Sequence, residues 1–233
     1  MFSRIEYMEI LSLILEIRFG SKTPLIVDDK RQKLVELIIG KPPKDKPPDT
    51  PKIGMALNDV ASKTRVIVEE SRVAISVEQS DIEKSKKRLL EVLKTIYKQV
   101  DYKTSPVWRV GVRTQWICLW KDSFTSLLSC FREKFYANNS LLQEAVDVGI
   151  ALTLEDGQFK VNYSTGPMKP EQGKQLLIFK DRQLPHDFIF IDIDRYSIDD
   201  KKTYEIESIK QFIVDSITYG KSKAEETERL LHG

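Results

Sequence analysis

The sequence predicts an α+β fold. Two pseudo-repeated β-α-β(3–4)-α halves, residues 1–102 and 103–233, form antiparallel sheet with helices on one face. Three observations lead there. Apolar patterns follow one another as strand, helix, three strands, helix, and then as strand, helix, four strands, helix. The long strands alternate apolar with polar residues, so each has a face to bury and a face to leave open. The helical segments carry one apolar stripe each, which covers one side of a sheet. A repeated order without a residue-level repeat fits an old duplication.

The first strand is "ILSLILEIRFG". Leu11, Leu13, Leu15, Ile17 and Phe19 share one face, and Ser12, Ile14, Glu16 and Arg18 the other. "DDKRQKLVELIIG" begins with acids, spaces Leu34, Leu37 and Ile38 helically, and stops at Gly40, so it reads as a helix. "KPPKDKPPDTPK", residues 41–52, holds five prolines and predicts an extended solvated connection. "IGMALND" reads as a short strand, and "TRVIVEESRVAISVEQ" as a hairpin turning near Glu70 and Ser71. "SDIEKSKKRLLEVLKTIYKQV" opens on Ser80 and Glu83, the spacing of a capping box. Its apolar stripe is Leu89, Leu93, Ile96 and Tyr97.

The second half opens with "SPVWRVGVRTQWICLW". Trp108, Val110, Val112, Trp116, Cys118 and Trp120 form a core stripe, and Arg109, Gly111, Arg113 and Gln115 the polar face. "DSFTSLLSCFREKFYAN" has Phe124, Leu127, Leu128, Phe131 and Phe135 at helical spacing. "EAVDVGIALTLEDGQFKVNYS" is a hairpin turning at Asp156-Gly157. A loop, "TGPMKPEQGK", precedes two further strands, "KQLLIFK" and "DFIFIDIDRYSI". The closing segment is a helix with a break at Gly220, its Ile206, Ile209, Phe212 and Ile213 facing the sheet. The layout resembles the doubled saddle of TATA-binding-protein-like folds. The alternative is a single curved sheet gripping the C-terminal helix.

Composition narrows the function. The chain has 233 residues, 41% hydrophobic and 31% charged, which predicts a folded protein with a substantial core. Its 37 basic and 35 acidic residues leave a net charge of +2, so no global field calls for nucleic acid. Cys118 and Cys130 form no disulfide framework and are expected reduced and buried. The apolar start is interrupted by Glu9 and Glu16, which argues against a signal peptide or membrane span. A cytoplasmic protein is the expectation. The two histidines, His186 and His232, have no Cys/His spacing for zinc and no marked serine partner. No glycine-rich phosphate loop is present, and no cofactor is expected.

What survives is "FIFIDIDRY", residues 188–196. Asp192 and Asp194 fall on one strand face with Phe188, Phe190 and Tyr196, while Ile189, Ile191 and Ile193 take the core face. Two carboxylates at this spacing are a candidate divalent-metal site, although such sites ordinarily add a third acid or a histidine. The preferred reading pairs them with Arg109 and Arg113, whose strand neighbours theirs in the doubled plan. The same face, through Arg18, Arg109, Arg113, Phe188 and Tyr196, is the candidate surface for a partner.

"LILEIRF", "WRVGVRTQWI", "FIFIDIDRY" and "ESIKQFIVDSIT" occur in this order along the chain. Together they resemble a sporadically distributed bacterial family of uncharacterised proteins. That resemblance implies no activity and no catalytic residues; the family's patchy distribution is like that of genes in mobile or defence loci. The expected function is a non-enzymatic binding or assembly protein. Its open sheet face would engage a protein partner or a second copy, or a nucleic acid, without a membrane. The alternatives are a divalent-metal-dependent phosphoryl-transfer or nuclease enzyme centred on Asp192 and Asp194, and a small-ligand carrier.

Overall fold

The computed structural model describes residues 5–19, 28–40, 54–69, 72–99, 107–136, 145–184, 186–198 and 205–232. The proline-rich stretch 41–52 and the turn at Glu70 and Ser71 lie outside these residues. The order is β1 (Ile5–Phe19), α1 (Asp28–Ile39), β2 (Gly54–Asp59), β3 (Thr64–Glu69), β4 (Arg72–Val77), α2 (Ile82–Gln99), then β5 (Val107–Trp120), α3 (Phe124–Phe135), β6 (Ile150–Asp156), β7 (Phe159–Met168), α4 (Pro170–Leu176), β8 (Phe188–Ile198) and α5 (Ile206–His232). The eight strands form one antiparallel sheet in the order β2-β3-β4-β1-β5-β8-β7-β6. Read outward from the β1–β5 seam, each side runs first strand, fourth, third, second. The two halves therefore share one topology, and the α+β antiparallel fold is the one predicted. α1, α2, α3 and α5 lie on one face as expected; the short α4 does not, and packs its Gly173 against Phe188 on the other.

The core lies between sheet and helices. Leu13, Leu15 and Ile17 of β1, Val73, Ile75 and Val77 of β4, Val110 and Val112 of β5, and Ile189, Ile191 and Ile193 of β8 meet Leu89, Leu93 and Ile96 of α2 and Ile209, Phe212 and Ile213 of α5. Strand parity fixes this division, because the polar alternates then all point to the other side.

Several expectations are corrected. "KQLLIFK" is not a strand: α4 takes its start, and the rest crosses the face opposite α1, α2, α3 and α5, so the second half has three strands after α3 among the described residues. "TGPMKPEQGK" is not a plain loop, for β7 runs through Met168. Pro167 is tolerated there because β6 ends its pairing at Thr165, leaving one side of β7 without a neighbouring strand among the described residues. The α2 cap is Asp81, whose carboxylate accepts from the backbone N–H of Glu83 and Lys84; Ser80 is not the cap. Leu37 is 51% exposed while Leu34 and Ile38 are buried.

Two more corrections come from bulges. One extra residue in β1, between the pairs Ile10–Trp116 and Ser12–Gln115, turns Leu11 to the face opposite Leu13. One extra residue in β5, between Arg18–Arg109 and Phe19–Val107, puts Val107 in the core and leaves Trp108 40% exposed. Finally, α5 is continuous across Gly220. A Cβ there would stand 2.3 Å from Thr114 Oγ1, so the glycine permits close helix–sheet approach rather than a break. Both cysteines are buried, and the Cys130 thiol donates to the Leu231 carbonyl; burial raises the Cys118 thiol far above its ordinary range.

Candidate functional site

The face opposite α1, α2, α3 and α5 divides into two ends, and α4 packs its Gly173 on Phe188 at one of them. At one end Leu11, Ile117, Leu119, Phe188 and Phe190 form a second apolar cluster, covered by Leu177 and Leu184 from the segment between α4 and β8. Polar contacts tie this strap to the first half. Arg182 donates to the carbonyls of Ile10 and Leu11, beside the bulge, and pairs with Glu9 at 2.9 Å. Glu78, itself buried, accepts from the backbone N–H of Ile178 and Phe179. Lys63 pairs with Asp181. Phe188 is 0% exposed beneath this cover, so it belongs to a core and not to an open surface.

The other end is polar and open. The register places Arg72, Arg18 and Arg109 in one cross-strand row. Like charges directly opposite repel, and acids compensate them here. Glu16 lies 2.8 Å from Arg18, 3.5 Å from Arg72 and 4.0 Å from Arg109. Glu69 adds a second acid to Arg72, and Asp194 a second to Arg109 at 2.8 Å. The Arg109 guanidinium stacks 4.2 Å from the Tyr196 ring. Gly111 makes room for this arrangement, since a Cβ there would stand 3.3 Å from the Tyr196 Cβ. Arg113 grips Asp192 with both Nε, at 2.7 Å, and Nη2. Ser12 donates to Gln115 at 2.6 Å beneath them.

The predicted pairing of Asp192 and Asp194 with Arg113 and Arg109 is thus the geometry found. The two acids are not equivalent. Loss of water raises the Asp194 carboxyl above its ordinary range, and Arg109 and Arg113 only partly offset this. Asp192, only 8% exposed, is the acid gripped at two points. No group of three histidine, cysteine, aspartate or glutamate side chains suited to a metal occurs among the described residues. A shallow depression of about 380 Å³ lies beside Arg113, bordered by Asn162, Ser164, Asp192 and Asp194. Arg18 and Arg113 keep 39% and 45% of their side chains exposed. His186 sits elsewhere, at the strap, 4.0 Å from Glu6.

One constellation was not singled out from the sequence. Arg195 projects to the helix side and is 7% exposed. Its Nε and Nη2 hold Asp156 at 2.8 and 2.7 Å, and its Nη1 donates to Ser216 at 3.1 Å. The rings of Phe159, Phe212 and Tyr219 surround it at 4.0, 5.4 and 5.6 Å. The signal was the strand parity itself, which puts Arg195 on the face of Ile189, Ile191 and Ile193.

No protein-family model and no curated protein matches the chain. Among solved structures, the TBP of Methanococcus jannaschii matches over 91% of this chain and 98% of its own, at 12% identity and a TM-score of 0.29. At that score the fold assignment rests on strand order and helix placement alone. No helix among the described residues is long and apolar enough to cross a membrane.

Proposed function

We propose that the chain is a binding protein that engages a protein partner with the open end of the sheet face opposite α1, α2, α3 and α5. The observation that carries this is the state of Arg18 and Arg113. Both are ordered by an intramolecular acid, yet both stay more than a third exposed, at the end of the face away from α4 and the strap. A guanidinium fixed by one carboxylate loses little freedom on meeting a second acceptor, which is the form of a good interface anchor. Tyr196 beside Arg109 and the exposed Trp108 at the end of β5 add aromatic surface.

Charge favours protein over nucleic acid. The face pairs Arg18, Arg72, Arg109 and Arg113 with Glu16, Glu69, Asp192 and Asp194, so its ion pairs leave no strong positive field. The same pairing speaks against acid–base catalysis, because each acid is already engaged by an arginine.

Affinity capture from the source cell, with wild type and three variants, tests this. A protein retained by wild type and by Lys84→Glu, on the far-side helix α2, should be lost with Arg18→Glu and with Arg113→Glu. Retention by both arginine variants would refute the assignment of the face. Binding of single-stranded DNA or RNA that weakens steeply with salt, and that the arginine variants abolish, would replace protein by nucleic acid as the partner.

A further inference from the structure

We propose that β6 is a self-association edge: two copies pair β6 with β6, antiparallel, about a twofold axis at Thr153, and so join their sheets. Among the described residues the outer strands of the sheet are β2 and β6. An outer strand presents unpaired N–H and C=O groups, and monomeric proteins blunt it with lysine, proline, a bulge or a cover. β6, "IALTLED", has no lysine and no proline. It pairs with β7 from Ile150–Thr165 to Asp156–Phe159 without a register shift, so no bulge twists it away.

Nor is it covered in the way of its counterpart. In the first half α1 packs on the outer strand β2, whereas α3 packs on β7, one strand further in. Among the described residues β6 is therefore only partly covered: Ile150 and Leu154 pack against the core, while Leu152 on the same side is 49% exposed.

The sequence of the strand is self-complementary in one register. With Thr153 on the axis, Thr153 faces the second copy's Thr153, and Leu152 faces its Leu154. Ala151 then faces Glu155, and Ile150 faces Asp156. Leu152 and Leu154 share a side of the sheet, so the four leucines of two copies form one patch over the seam. Threonine opposite threonine is a favourable cross-strand pair. No two acids oppose each other. An isologous pair of this kind closes after two copies and leaves no exposed β6 edge to propagate.

The chain of 27.0 kDa should therefore sediment at twice that mass at tens of micromolar. Leu152→Lys, an exposed edge position, should return it to monomer with an unchanged far-UV spectrum, while Arg18→Glu should leave the dimer intact. Cysteine placement fixes the register without depending on any loss of fold. Thr153→Cys should form an intermolecular disulfide on mild oxidation, since residues opposed on the axis lie within disulfide reach. Ala151→Cys should not, because its two copies are offset by four residues, roughly 14 Å, against a limit of about 7 Å. Cys118 and Cys130 are buried and give a quiet background. Wild type that stays monomeric at 100 µM overturns the proposal. So does a dimer that survives Leu152→Lys, and so does cross-linking through Ala151→Cys in preference to Thr153→Cys.

Discussion

Asp192 and Asp194 illustrate how far two adjacent alternate residues can differ. Asp192 is gripped at two points by one guanidinium, so Asp192→Asn and Arg113→Gln should each cost up to about 1 kcal/mol, much of it shared. A double-mutant cycle in urea should show coupling for that pair and less for Arg113 with Asp194. Millimolar Mn²⁺ should leave the wild-type melting temperature unchanged, whereas a vacant metal site would raise it by mass action. Asp194 is held above its ordinary range by desolvation, so the folded state binds its proton more tightly than the unfolded chain does. Its contribution must then fall as pH rises from the ordinary value of 3.8 through the raised one. The stability of wild type relative to Asp194→Asn should therefore decline over that window in urea melts taken from pH 3.5 to 7. A difference that grows instead would mean that Arg109 dominates. The partners of these acids were legible in the sequence, because parity and the order of the strands placed them together. The asymmetry between them was not, since it arises from side-chain burial that period two does not encode. Trp108 failed for a related reason: one inserted residue in β5 reversed its side. Acrylamide should accordingly quench Trp108 alone, and Trp108→Phe should remove nearly all quenchable emission.

Elements were readable wherever a long periodic pattern stood alone. β1, β5, β8, α2 and α3 all appear where their patterns put them. The strap failed because "KQLLIFK" is a short apolar run, and periodicity cannot tell a buried strand from a buried irregular segment. Its leucines cover sheet, as core residues do, but from the side opposite α1, α2, α3 and α5. Gly220 failed because glycine has two uses in a helix, and only the tertiary neighbour Thr114 decides between them. Gly220→Ala should therefore destabilise by about 1–3 kcal/mol, despite the usual gain of about 1 kcal/mol from alanine's helix propensity. Adding Thr114→Ala should recover most of the loss, because the Thr114 hydroxyl is buried without a hydrogen-bond partner among the described residues. If Gly220→Ala proves stabilising by itself, the helix–sheet contact is looser than described. On β8, Arg195→Leu would strip Asp156 and Ser216 of their partner and empty the aromatic cage, a loss of about 3 kcal/mol on chemical denaturation. The partial exposure of Asp156, 35% of its side chain, keeps that loss at the lower end.

At the scale of the whole molecule, one seam joins two halves of like topology. β1 and β5 pair along nearly their full length, and the strap from the second half is fastened to Glu9, Lys63 and Glu78 of the first. The repeated order of elements was visible in the sequence. That the two sheets merge into one was not, because the pattern within each half says nothing about which edges meet. The merger creates a face with one end sealed by the strap and the other left to its arginines. It follows that neither half keeps its core intact without the other, and that the chain unfolds as a unit. The position of the tryptophans makes this directly measurable. All three lie in β5, so their fluorescence reports the seam, while far-UV circular dichroism reports the helices and strands of both halves. Urea titrations followed by both signals on one sample should give coincident transitions with the same midpoint and slope. A fluorescence transition displaced from the dichroism transition would show the halves unfolding separately and would contradict the single welded sheet.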